Sequence, residues 1–61
     1  MRVPRLKILR QRAFLTQIEL ALRAGLAEVT VNRLEQGKQT ARISTVRKLA
    51  SALGVLPEEL V

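Results

Sequence analysis

Cysteine and histidine are both missing from this chain of 61 residues, as are tryptophan and tyrosine, and a single phenylalanine is its only aromatic residue. Without cysteine there are no disulfide staples and no thiolate nucleophile. Without either residue the usual zinc ligands are gone, and no imidazole is left for general acid–base work. The expectation is a protein that is not an enzyme and takes no metal and no cofactor. The lack of cysteine also fits a reducing compartment. No apolar run approaches the 18 or more residues of a membrane span, and Met1 to Pro4 is too short and too charged for a signal peptide, so a soluble cytoplasmic protein is expected.

Acid is scarce as well. Five glutamates and no aspartate face eleven Lys and Arg, for a net charge of +6. Arg2, Arg5, Lys7, Arg10 and Arg12 all fall in the first twelve positions, where no acid occurs. Such a surplus points to a polyanion partner. On composition alone, a basic surface kept for solubility and a helix lying on a membrane surface are the alternatives. The length has room for one domain, residues 1–61, which would bury only about 60% of its unfolded surface and be stable by a few kcal/mol.

What is present is organised around Thr16 to Gly37. Thr16 and Glu19 have the spacing of a capping box, in which the hydroxyl accepts from the backbone N–H of Glu19 and the carboxylate reaches back to the N–H of Thr16. A helix therefore starts at Gln17. Leu20, Ala21 and Ala24 give it a narrow stripe of small apolar residues, and Gly25 stops it in the left-handed conformation. Leu26 restarts the apolar pattern, and in the second helix Val31 and Leu34 mark a buried face while Glu28, Asn32 and Arg33 share the opposite one, closed by Gly37. Two short helices about a glycine turn, the second with an exposed polar row, describe a helix-turn-helix over about 17–36.

The residues Thr16-Gln17-x-Glu19-Leu20-Ala21, Ala24-Gly25-Leu26 and Val31-x-Arg33-Leu34-Glu35-x-Gly37-Lys38 together resemble the lambdoid phage repressor and Cro type of helix-turn-helix domain. Leu49-Ala50-x-Ala52-Leu53-Gly54-Val55 and Glu58-Glu59-Leu60 are similar to that family's fourth and fifth helices, so the resemblance covers about residues 5 to 60. It implies an all-α, compact bundle of about five short helices and a regulator, in the first instance a repressor, that binds double-stranded DNA in the major groove; because a lone domain offers a small contact, a homodimer on paired half-sites is expected. The resemblance also implies that Arg10 pairs with Glu35, and that the recognition-helix contacts fall on Ala27, Glu28, Val29 and Arg33. Gln17 resembles the family's glutamine that bonds a phosphate or an outer base.

The chemistry of those contacts differs. Arg33 can donate twice to guanine, Val29 and Ala27 can touch a thymine methyl, and Glu28 can accept from cytosine. Glu28 can equally do no more than complement the positive end of its own helix dipole. Ala27 stands where the family prefers a Ser or Thr cap. Asn32 shares the exposed face, and Lys38, Thr40 and Arg42 form a polar loop suited to phosphates.

Elsewhere, Pro4 suits the first position of a helix running to about Arg12, with Leu6, Leu9 and Ala13 inward. Ile43, Val46, Leu49, Ala50 and Leu53 predict a fourth inward face ending at Gly54, and Pro57 to Leu60 a single-turn fifth helix. Phe14, Ile18 and Leu22 are spaced by four. Either Phe14 packs under the end of the fifth helix and the others are isolated aliphatics, or the row is a protein contact patch. The rival to DNA binding is an interaction module or antitoxin-type protein that holds a partner through this row or through Leu56, Leu60 and Val61.

Overall fold

The computed structural model describes all 61 residues as four α-helices and a closing 3-10 turn, with no strand: α1 (Leu6–Arg12), α2 (Gln17–Ala24), α3 (Glu28–Glu35), α4 (Ile43–Leu53) and Pro57–Glu59. Helix α2 is the centre of the bundle, packed against α3 on one side and α4 on the other; α1 lies against α3 and the 3-10 turn against α4. The small residues Ala21 and Ala24 on α2, with Ala50 on α4, are what let these axes approach, and all three are buried. Around them the core is filled by aliphatic side chains alone, among them Leu6, Leu20, Val31, Leu49 and Leu60, and no polar side chain is fully buried.

Helix α2 starts as its local chemistry requires. Thr16 Oγ1 accepts from the Glu19 N–H at 3.1 Å, and Glu19 Oε1 accepts from the Thr16 N–H at 2.9 Å. Those bonds from Thr16 pull the Glu19 carboxyl below the usual range, with Arg23 adding to the effect. All four helices end in one motif, in which a left-handed residue lets the next N–H reach back to a carbonyl of the last turn: Leu15 to Arg10 at 3.2 Å, Leu26 to Ala21 at 2.8 Å, Lys38 to Arg33 at 2.9 Å and Val55 to Ala50 at 3.0 Å. Three of the left-handed residues are Gly25, Gly37 and Gly54; the fourth is Phe14, at φ 57°.

Several expectations need correction. The first helix begins at Leu6 rather than Pro4, because Val3 is buried and its carbonyl accepts from the Leu6 N–H at 3.0 Å, which spends Pro4 and Arg5 on a turn. The N-terminal arm is thus part of the body: the Met1 amino group donates to Ala41 O, and Ala41 N–H donates to Met1 O, both at 2.7 Å. The fifth helix is a three-residue 3-10 turn, since Leu60 must drop straight into the core. Ala13 is exposed because the chain turns left-handed directly after it, and Ile43, in the first turn of α4, is exposed as well. Phe14 does not pack under the C-terminal turn; it is 93% exposed.

Candidate nucleic-acid interface

The end of α1 is joined to the end of α3 by a two-pronged ion pair. Arg10 Nε donates to Glu35 Oε2 at 2.6 Å and Nη2 donates to Oε1 at 3.0 Å, while Nη1 donates to the Leu15 carbonyl at 2.8 Å. The two side chains are only 12% and 4% exposed. The hydrogen bonds to Glu35 hold Arg10 more firmly protonated than a free guanidinium; burial opposes this and the charge of Glu35 adds to it. Gln17, the first residue of α2, extends the network. Its Nε2 donates to Glu35 Oε1 at 3.1 Å and its Oε1 accepts from Asn32 Nδ2 at 3.2 Å. The start of α2 and the middle of α3 are therefore cross-linked by side chains in addition to the apolar core.

The outer end of this network borders an open face. Gln17, Glu28, Val29 and Asn32 line a shallow dent between the start of α2 and the first turns of α3. Ala27 caps α3 with extended backbone and no side-chain bond. Ala27, Glu28, Val29 and Arg33 are exposed, with Asn32 half-buried. Lys38 and Thr40 are exposed in the loop beyond Gly37, and Arg42 is the exposed residue that opens α4. The face carries donors (Gln17, Asn32, Arg33), an apolar side chain (Val29) and one acceptor-only group (Glu28), framed by cations, which is the mixture that a base-pair edge between two phosphate rows would meet.

One cation that sequence reasoning left out of this set is Arg2, whose Nη1 donates to Gly37 O at 3.3 Å and so stands beside Lys38 at the end of α3. The cluster of basic residues at the N terminus was the available signal. A Cβ at Gly37 would lie 3.3 Å from the Arg2 guanidinium, the far end of an exposed side chain that can give way, so the left-handed φ of 71° is what calls for glycine here.

The apolar surfaces are placed as follows. Phe14, Ile18 and Leu22 are all exposed. Of the C-terminal residues, Leu56 and Val61 are exposed, but Leu60 is wholly buried in the chain's own core and offers a partner nothing. A different groove is formed in its place by Met1, Ile43, Val46, Arg47, Pro57, Glu58 and Val61.

A family model described as helix-turn-helix matches residues 6–60. An uncharacterized HTH-type transcriptional regulator of Sinorhizobium fredii, y4dJ, is 40% identical over 53 residues, a stretch covering 87% of this chain and 69% of that protein. Among solved structures, the restriction-modification controller protein C.AhdI from Aeromonas hydrophila is similar with a TM-score of 0.91 and 37% identity, over 93% of this chain and 86% of that one.

Proposed function

The chain belongs to the helix-turn-helix family of DNA-binding transcriptional regulators, of the phage repressor and Cro type, and from that premise we propose that it represses by occupying an operator, with α3 in the major groove. The observation that carries the reading is the exposed row Glu28, Val29, Asn32 and Arg33, set beside Gln17 and flanked by Lys38, Thr40 and Arg42. Phosphate neutralisation by the flanking cations supplies most of the affinity, and the row on α3 supplies the preference.

Two copies act together. The Cα trace extends 23 × 23 × 18 Å, less than the roughly 34 Å between half-sites one helical turn apart, so one copy reads one half-site. The groove between Ile43 and Val61 is the proposed contact: it is apolar and carries two charged side chains, Arg47 and Glu58. A two-fold pairing can set each charge beside its opposite on the other copy.

Reading and clamping separate by substitution. Arg33→Ala should lose about 1 to 3 kcal/mol on the preferred operator, relax the preference at a guanine, and change binding to random DNA little. Lys38→Ala should weaken binding on every sequence and lower the slope of log K against log salt by about one. Titrations of both variants at several salt concentrations decide it. If Arg33→Ala weakens operator and random DNA alike, Arg33 is a phosphate contact; if neither substitution alters binding, α3 does not face DNA.

A further inference from the structure

A carboxylate can only accept hydrogen bonds, and for Glu35 that fact orders every polar group attached to it. Arg10 takes Oε2 and shares Oε1, at 2.6 and 3.0 Å. The Gln17 amide also bonds to Oε1, at 3.1 Å, so it must present its NH2 end there. Its carbonyl oxygen then faces α3, and the Asn32 amide 3.2 Å away must in turn present NH2. Reversing either amide would set two acceptors against each other with no proton between them. The direction of the whole chain, from the buried ion pair outward, is therefore fixed by Glu35.

Asn32 spends one N–H on Gln17. Its Oδ1 accepts nothing from the rest of the chain and is not buried, and Asn32 forms one wall of the open dent beside Glu28 and Val29. The carboxamide edge left to an incoming base pair is one acceptor and one donor, in an order it cannot exchange. In the major groove adenine alone offers the complement within a single base, an N6 donor next to an N7 acceptor; guanine offers two acceptors, and cytosine and thymine one polar group each.

We infer that Asn32 is the adenine-reading residue of this domain, and that Gln17 is a positioning residue holding its amide in the reading orientation. The inference rests on the DNA-reading function proposed above. Arg33, which has no partner within the chain, is free to seek guanine; Asn32 is set in advance.

The test begins with duplexes selected from a random pool by the wild-type protein at fixed salt, and one adenine per half-site should be required. Replacing that adenine by 7-deazaadenine removes the N7 acceptor and should weaken wild-type binding about 3- to 10-fold. Asn32→Ala should lose the preference for adenine by about 5- to 100-fold and become indifferent to the 7-deaza base. Asn32→Asp, which has no N–H to give to Gln17 Oε1 or to adenine N7, should lose the adenine preference as well. Gln17→Leu leaves Asn32 in place and should still lower discrimination at this base pair, with the preference at the guanine position kept. Circular dichroism melts establish that the variants fold, and the 7-deaza measurement on the wild type needs no substitution. If Asn32→Ala selects the same adenine, or if 7-deazaadenine costs the wild type nothing at any position, the inference is overturned while DNA reading stands. If the wild type selects no sequence from the pool, DNA reading falls and this inference falls with it.

Discussion

Phe14 occupies a place that the other three helices give to glycine. Its φ of 57° and its 93% exposure mean that the ring is neither relieved of strain nor withdrawn from water, and left-handed backbone costs a side-chain-bearing residue roughly 1 to 2 kcal/mol. Part of that cost returns on substitution by glycine, whose unfolded chain is freer. Phe14→Gly is therefore expected to stabilise the domain by about 0.5 to 1 kcal/mol, read from urea melts, even though it deletes the only aromatic ring. At Glu35 the expectation is opposite. Glu35→Gln leaves the Arg10 charge in a largely enclosed site, and breaking a buried pair costs about 3 kcal/mol or more, against less than about 1 for an exposed one. Since 61 residues are stable by roughly 3 to 9 kcal/mol in all, the same melts should show a loss of a third of the total or more; a loss near zero would mean that the pair behaves as a surface pair.

The helices differ in how their starts are held. Helix α2 has its capping box, whereas α3 begins at Ala27 with no side-chain bond to its first N–H groups. Ala27→Ser should add about 1 kcal/mol by supplying one, seen as a raised urea midpoint with unchanged slope. The box is also sensitive to acid. Because the Glu19 carboxyl titrates below its ordinary range when folded, its contribution is present above the unfolded value and is lost as pH falls through the lowered folded one. The difference in melting temperature between wild type and Glu19→Gln should thus be present at neutral pH and shrink as the pH is lowered from the ordinary carboxylate range through the lower folded value. These starts and stops were legible because each is decided within a few neighbouring residues: Thr16 with Glu19, Gly25 after Ala24, Gly54 after Leu53. The start of α1 and the form of the last turn were not. They depend on Val3 and Leu60 finding one core, and a short apolar stretch near a terminus carries no period that says whether it faces the core or water. Phe14 misled for a related reason: a lone aromatic in a small domain is expected inside, and only the backbone at the end of α1 turns it out. The site was legible to a similar degree. The positions on α3 follow from helical spacing, but the route from Glu35 through Gln17 to Asn32 needs two helices to be docked before it exists.

For the whole molecule, ten of the eleven cations are exposed and Arg10 alone is paired inside, so association with DNA should be strongly salt-dependent. Pairing of two copies is tested at an exposed residue of the groove and not at the buried Leu60. Leu60→Asp would put a charge in the core and unfold the domain, whereas Ile43→Asp alters a side chain that is 62% exposed in the groove beside Val61. Ile43→Asp is expected to keep the melting behaviour of the wild type, lower the weight-average mass in sedimentation, and abolish cooperativity on duplexes with two half-sites while leaving single half-site binding unchanged. A variant that still binds paired half-sites cooperatively would place the contact elsewhere.

The bond between Arg10 and Glu35 joins residues 25 apart in the chain, while α2 and α3 are immediate neighbours. Small helical domains rich in local contacts fold in microseconds to milliseconds. We expect a clasp across 25 residues to close after the barrier has been crossed, and stabilisation made after the barrier governs how slowly the native state is left rather than how fast it is reached. The ion pair is then a timer on the folded lifetime. In stopped-flow urea jumps, Glu35→Gln should unfold about a hundredfold faster than the wild type with its refolding arm almost unmoved, so that the time this small reader stays assembled is set at the end of its recognition helix.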